Sequence, residues 1–297
     1  MSGGWIWQAV GIGWLAMVGG YDPSELPVKF RLLLPLHQKL PPPGPGDWLA
    51  VHPEPGQTYR QYVESRPPRA EGRRRIIYIQ PLGDFRPTHR KILQQTATFM
   101  EAYFGLPVQM QKELPLAIIP PQAQRVHPLW GDRQILTGYV LEKVLRPTLP
   151  EDAVARIALT TSDLWPGPGW NFVFGQASLE DRVGVWSLYR NGDPEQSKEA
   201  YLLYLRRTLK TATHEVCHMF GMLHCIYFQC NMCGSNHRAE SDRRPLWLCP
   251  ICLAKLVYAT GVDPVARYQK LADWCRQNGL DVEHQFYEKS LQVLRKP

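Results

Sequence analysis

The chain has 297 residues, 44% of them hydrophobic and 21% charged, enough for one large domain or two small ones around a sizeable core. A formal net charge of +7 and a pI near 9.0 would suit an acidic partner, but the basic residues are scattered. Runs such as Arg73, Arg74 and Arg75 are short solvated flanks, so charge argues against nucleic acid as the partner.

The first apolar stretch, GWIWQAVGIGWLAMVGG, has no Lys or Arg before Lys29 and is too short and glycine-broken to span a bilayer. It is expected to pack as a helix on the body or to trail as a leader, with neither export nor a membrane span. Proline and glycine dominate from Leu40 to Gly56, and SRPPRAEGRRR follows at Ser65, so residues 1–74 are expected to form a loop-rich extension. From Arg75, RIIYIQPLG is a buried strand ending in a turn. THRKILQQTATFMEAYFG, from Thr88, is an amphipathic helix stopped by Gly105, and LPVQMQKEL is a second strand.

The spacing of Ile135, Tyr139, Val140, Leu141 and Val144 predicts a helix over 132–146. ARIALTTSDLW from Ala155, WNFVFGQASL from Trp170 and VGVWSLYR from Val183 are strand-like. The loop NGDPEQSK then leads into EAYLLYLRRTLKTATHEVCHMFG, a long helix whose apolar stripe runs on to two histidines. Strands mixed with helices predict an α/β (α+β) architecture.

Residues 213–225 read THEVCHMFGMLHC. His214 and His218 are four apart, so on a helix their imidazoles stand on one face and converge on one ion. Gly221 tolerates the left-handed turn past a helix end and lets His224 return as a third ligand. Three neutral nitrogens leave a tetrahedral zinc with one open position, the arrangement of catalytic sites. Glu215 reaches water at that position without ligating the metal, as general base and then proton carrier to a leaving amine. The full pattern HExxHxxGxxH fixes five positions and is the metzincin signature.

The seven cysteines are unevenly placed: none precedes Cys217, five lie between Cys225 and Cys252, and Cys275 stands alone. Such clustering beside histidines favours metal ligation over a disulfide framework. It therefore points to a reducing compartment, intracellular and either cytoplasmic or nuclear. Cys249 and Cys252 form a CxxC pair that needs two more thiolates from Cys225, Cys230 and Cys233 to close a structural zinc site. Two pairings stay open on spacing alone, because Cys230 and Cys233 form their own CxxC and would leave Cys225 out. Cys217, inside HEVCH, reads as a small buried side chain.

With these residues assembled, the sequence resembles the archaemetzincins. Their signature joins HExxHxxGxxH directly to a cysteine, with a second cysteine five residues on, a methionine two beyond it and a later CxxC. Here these are His214, Glu215, His218, Gly221, His224, Cys225, Cys230, Met232, Cys249 and Cys252. The resemblance runs from about Arg75 to Cys275, with a weaker extension to DWLAVHPEP near Asp47.

It implies a zinc metallopeptidase with two zinc ions per chain, one catalytic and one structural. The implied fold is a metzincin-like catalytic domain with a mixed twisted sheet and an active-site helix (75–224), followed by a small zinc-stabilised C-terminal subdomain (225–297). It further implies that Cys225, Cys230, Cys249 and Cys252 hold the structural zinc, with Cys233 outside, and that Met232 packs in a turn beneath the histidines. The extended chain past the helix agrees with this, since neighbours point to opposite sides and let His224 and Cys225 face different ions.

By the same resemblance, a peptide or protein substrate lies against an edge strand around Phe172 to Leu179, with the first seventy residues available to cover it. No cysteine precedes the catalytic helix to act as a propeptide switch. The competing reading is a catalytically weak, zinc-stabilised binding or scaffold protein. Such a protein would have no chemical need for Glu215.

Overall fold

The computed structural model describes residues 21–295, so the apolar stretch before Tyr21 lies outside the described residues. From Tyr21 the chain makes short helices between proline-rich extended segments: α1 (Val28–Arg31), α2 (Trp48–Val51) and α3 (Tyr59–Glu64). Thr58 caps α3, its hydroxyl accepting from Gln61 N while the Gln61 side chain accepts from Thr58 N. This segment runs along the C-terminal part of the molecule. Leu40 N donates to Tyr227 O at 3.1 Å, Gln229 N to Gln38 O at 2.9 Å and Ala70 N to Ala259 O at 2.8 Å.

The first strand, β1 (Ile76–Leu82), is an apolar run buried on both faces, as in the middle of a covered sheet. α4 (Pro87–Phe104) starts with proline at its first position and stops at Gly105, whose φ is 64°. A β-carbon there would also collide with Val262. Then come β2 (Val108–Met110), β3 (Gln124–Val126), β4 (Arg133–Leu136) and α5 (Thr137–Tyr139), which runs on as a π-helical turn over Val140–Leu145. β5 (Ala153–Thr160), β6 (Asp163–Trp165), β7 (Gly175–Ser178) and β8 (Val183–Ser187) complete the strands.

They form a five-stranded mixed sheet, ordered β2-β1-β5-β8-β7, and a three-stranded one, ordered β3-β4-β6. In the larger sheet every pairing is parallel except that of β7 with β8, which puts an antiparallel strand on one edge.

Three expectations shift. The helix expected over 132–146 begins only at Thr137, because Arg133–Leu136 pairs with β3 and β6 as β4. Helical spacing of apolar residues lost to strand pairing there, and Gln134 is satisfied in the strand by Asp163 at 2.7 Å and by Asn171 O at 2.9 Å. ARIALTTSDLW splits between the two sheets as β5 and β6. Of WNFVFGQASL only Gly175–Ser178 joins the ladder, and Val173 makes a lone bridge to Leu164.

α6 (Lys198–Met219) is capped by Ser197, whose hydroxyl accepts from Ala200 N. It packs against α4 and against β5 and β8. Period-two alternation divides the core. Ala155, Ile157, Leu159 and Trp186 share the main core with α4 and α6, whereas Ala158, Val183 and Val185 join a smaller core with Ile135, Leu141 and Leu145. Past α6 the chain forms α7 (Arg238–Arg243), α8 (Pro250–Thr260), α9 (Pro264–Gln277) and α10 (Asp281–Leu294). The architecture is mixed α/β, and no helix among the described residues is long and apolar enough to cross a membrane.

Candidate active site

The last turns of α6 carry His214, Glu215 and His218, one face towards the core through Val216 and Cys217, which are fully buried. Past Met219 the chain turns at Gly221, where φ is 77° and Gly221 N donates to His218 O at 2.7 Å. A β-carbon at Gly221 would press on Pro67 at 3.1 Å, so the turn is also squeezed from the N-terminal segment. His224 then comes back to the helix. Its ring centroid lies 5.3 Å from that of His214 and 4.9 Å from that of His218. One nitrogen from each of the three rings lies within 4.8 Å of the others.

The tautomers follow from the partners. His214 Nδ1 faces Asn231 O at 2.7 Å and His218 Nδ1 faces Met222 O at 2.6 Å, and a carbonyl only accepts, so both protons sit on Nδ1. The two Nε2 atoms therefore meet lone pair to lone pair at 3.0 Å. Neutral imidazoles gain nothing from that contact, whereas two nitrogens on a tetrahedral zinc stand ~3.3 Å apart at ordinary bond lengths. His224 Nδ1 faces the Glu54 carboxylate at 2.9 and 3.0 Å, which leaves its Nε2 as donor to a metal. Burial, and next the neighbouring His224, push His214 down to about 3, and burial pushes His218 far down too, so both are neutral, as metal ligands must be. The donor set fits zinc.

Glu215 is 7% exposed. Burial lifts its carboxyl to about 8, and the Trp186 indole acts the other way. A cation held by the three rings would oppose the lift. Trp186 belongs to β8 and lies flat against β7, where a β-carbon on Gly175 would collide with the indole. Met232 is fully buried, and its carbonyl accepts from Cys225 N at 2.7 Å. Its neighbour Asn231 supplies the carbonyl that orients His214, and its side chain donates to Thr213 Oγ1 at 2.9 Å.

The sulfurs of Cys225, Cys230, Cys249 and Cys252 lie within 4.8 Å of one another, and all seven cysteines are free. Cys230 Sγ accepts from Met232 N at 3.4 Å and from Cys249 N at 3.2 Å. Cys249 caps α8 and Cys252 lies in its first turn, where the helix dipole favours negative sulfur. Thiol donors around Cys225 drive its thiol well down. Cys233 stays outside the group, its thiol donating to Phe228 O at 3.2 Å. Burial pushes the Cys230 and Cys249 thiols well up, a cost that a cation at the centre would offset, and the four buried, convergent sulfurs fit a closed zinc site.

A third cluster, Asp47, His237 and Glu240, also meets within 4.8 Å. Its atoms are satisfied without an ion: Asp47 pairs with Arg243 at 2.7 Å and His237 at 3.3 Å. Glu240 pairs with Arg244 at 3.2 Å and accepts from Trp48 N at 2.9 Å. It is a clamp between α2 and α7.

Sequence reasoning missed Glu54 and Asn231. Asn231 had a signal in its place beside Met232. Glu54 had only its position in the weakly family-like DWLAVHPEP, because nothing local says that a carboxylate 170 residues upstream reaches His224.

Comparison with known proteins matches residues 138–257 to the family described as peptidase family M54. The chain is 37% identical over 269 residues to archaemetzincin-2 of Homo sapiens, covering 80% of this chain and 74% of that one. To archaemetzincin-2 of Rattus norvegicus it is 35% identical over 290 residues, covering 84% and 80%. Among solved structures, an archaemetzincin from Methanopyrus kandleri shares 28% identity with a TM-score of 0.49, over 64% of this chain and 97% of that one.

Proposed function

The chain belongs to the archaemetzincins, peptidase family M54, and is a zinc metallopeptidase acting on peptide substrates; from that premise we propose how its own residues divide the work. His214, His218 and His224 hold the catalytic zinc through Nε2. Cys225, Cys230, Cys249 and Cys252 hold a structural zinc, giving two ions per chain. The observation that carries this reading is the tautomer pattern, in which three Nδ1–H groups are given to Asn231 O, Met222 O and Glu54.

Zinc bound by three imidazoles supplies Lewis acidity, polarising a carbonyl and lowering the pKa of water to about 7. Glu215, beside His214 and outside the ligand set, takes the proton of the attacking water and delivers it to the departing amine. The new C–O bond thereby replaces the C–N bond. The peptide is taken in extended form along β7, the antiparallel one of the two outer strands of the five-stranded sheet, where main-chain pairing would orient its carbonyl. A reducing compartment, cytoplasmic or nuclear, is the setting that the clustering of four cysteines as metal donors supports. A scaffold that kept both metals without turnover would have no use for a buried carboxylate at Glu215.

The test is to offer the zinc-loaded protein a diverse peptide library and identify cut bonds by mass spectrometry, beside Glu215→Ala. The variant should keep two zincs and lose ~10²- to 10⁴-fold in hydrolysis. A variant that loses a zinc, or cuts normally, removes Glu215 from the role of base. A wild type that holds both zincs and cuts nothing favours the scaffold.

A further inference from the structure

Residues 54–62, from the loop after α2 into α3, grip the turn that carries the third histidine at successive points. Tyr62 Oη donates to Phe220 O at 2.8 Å. Gln57 Nε2 donates to Gly221 O at 3.3 Å, and Gln57 Oε1 accepts from Leu223 N at 3.2 Å. Glu54 closes on His224 Nδ1 with both oxygens, at 2.9 and 3.0 Å. The grip is anchored at both ends. Glu54 Oε1 also accepts from Trp48 Nε1 at 2.8 Å, and Trp48 is 2% exposed, its ring edge-on to His224 and seated where a β-carbon on Gly234 would collide with it. Gln57 is held by Lys255, itself 1% exposed, whose ammonium donates to Gln57 O and Oε1 and which lies on the helix bearing Cys249 and Cys252.

The three imidazoles are not supported alike. His214 and His218 give Nδ1–H to the carbonyls of Asn231 and Met222, 17 and four residues further along the chain. Among the described residues His224 gives it to a charged group, Glu54, which lies 170 residues upstream. A carboxylate behind a ligating imidazole fixes its tautomer and ring plane and places negative charge opposite the metal. Loss of such a partner typically weakens metal binding 10- to 100-fold.

We propose that Glu54 is a positioning residue for the catalytic metal, so that docking of residues 54–62 on the turn 220–224 completes the site. The inference rests on the reading of His214, His218 and His224 as ligands. Docking and metal binding are then linked: the metal favours the docked segment by as much as the docked segment favours the metal.

The experiment measures zinc affinity of the full chain by chelator competition and records the d–d spectrum with cobalt in the histidine site. Glu54→Ala should weaken the first-released zinc about 10- to 100-fold and shift the cobalt spectrum, with the structural zinc and the helical circular dichroism unchanged. Glu54→Gln, whose amide oxygen still accepts from Nδ1, should fall between, and it decides the matter if the alanine variant does not fold. Gln57→Ala loosens the same turn without touching an imidazole and should leave the cobalt spectrum in place. Wild-type affinity and spectrum in both Glu54 variants, or an equal shift in Gln57→Ala, overturns the role of Glu54. His214→Ala is the control on the premise. If it keeps both zincs, the ligand assignment falls and this inference with it; if it loses one while the Glu54 variants do not, only this inference falls.

Discussion

One peptide bond, between His224 and Cys225, joins two side-chain clusters built on opposite principles. The cysteine cluster draws all its sulfurs from residues 225–252, keeps them nearly inaccessible, and gives one of them, Cys230 Sγ, the N–H donors of Met232 and Cys249. The histidine cluster has two imidazoles, His214 and His218, that burial keeps neutral, leaves His214 half-buried, and is assembled from a helix, a turn and a carboxylate 170 residues away. Four buried thiolates would be tolerable only with a cation at their centre, so on the proposed reading the first cluster would be a staple whose metal is part of the fold. The second, on the same reading, would be a site on a fold that stands without its metal.

The largest effect that separates them is expected from Cys225→Ser. It removes one of four thiolates and leaves three buried thiols with no shared ion. Structural zinc contributes apparent free energies of ~10–16 kcal/mol in small zinc domains, so the variant should lose one zinc per chain and the cooperative unfolding of the C-terminal part. Zinc counting and thermal denaturation check this. Two retained zincs with an unchanged melting profile would break the comparison at its root.

Chelation comes next, since it acts on the wild type and should take the metals in order. A three-nitrogen site with an open position exchanges more readily than a closed tetrathiolate. Hydrolysis should stop at chelator concentrations where far-ultraviolet circular dichroism is still native, with about half of the zinc released. Simultaneous loss of both ions with global unfolding at every concentration would mean that the two clusters are one unit.

The same contrast explains how far the sequence could be read. Every ligand of the proposed sites lies within 39 residues, from His214 to Cys252, so the helix period, the glycine turn and the cysteine spacing carry them. β1, α4 and α6 were legible because a buried run and two amphipathic stripes declare themselves. β4 was not, because Ile135 fits a helical stripe and only pairing with Gln124–Val126 and Asp163–Trp165 makes it a strand. Glu54 was not legible either, because its contact depends on how an extension full of proline folds back over the C-terminal part. Spacing alone also left Cys233 open; the family resemblance set it aside, and the sulfurs of Cys225, Cys230, Cys249 and Cys252 group without it.

A smaller effect probes the seam between the clusters. Asn231 orients His214 through its backbone carbonyl, while its side chain donates to Thr213 Oγ1 at 2.9 Å and Lys210 O at 3.4 Å. Asn231→Ala keeps the carbonyl and removes the side-chain bonds inside a buried region. It should cost about 1–3 kcal/mol of stability with both zincs retained. Denaturant unfolding beside zinc counting gives the answer, and loss of the catalytic zinc would show that the side chain, not the carbonyl, sets the His214 ring.

The smallest effect is expected from Cys233→Ser, and it sharpens the comparison most finely. Cys230 and Cys233 have the spacing of a metal-binding pair, so a tetrathiolate of Cys230, Cys233, Cys249 and Cys252 is the natural rival. The structure turns the Cys233 thiol to Phe228 O, 3.2 Å away, while Cys225 Sγ lies 3.7 Å from Cys249 Sγ. A serine hydroxyl at 233 can make the same donation to Phe228 O. The substitution should therefore change stability by no more than about 1 kcal/mol and leave the zinc count equal to wild type. Loss of one zinc in Cys233→Ser, together with its retention in Cys225→Ser, would move the structural site onto the Cys230 and Cys233 pair. The peptide bond from His224 to Cys225 would then no longer bridge two metals, and the catalytic turn would owe its position to the N-terminal grip alone.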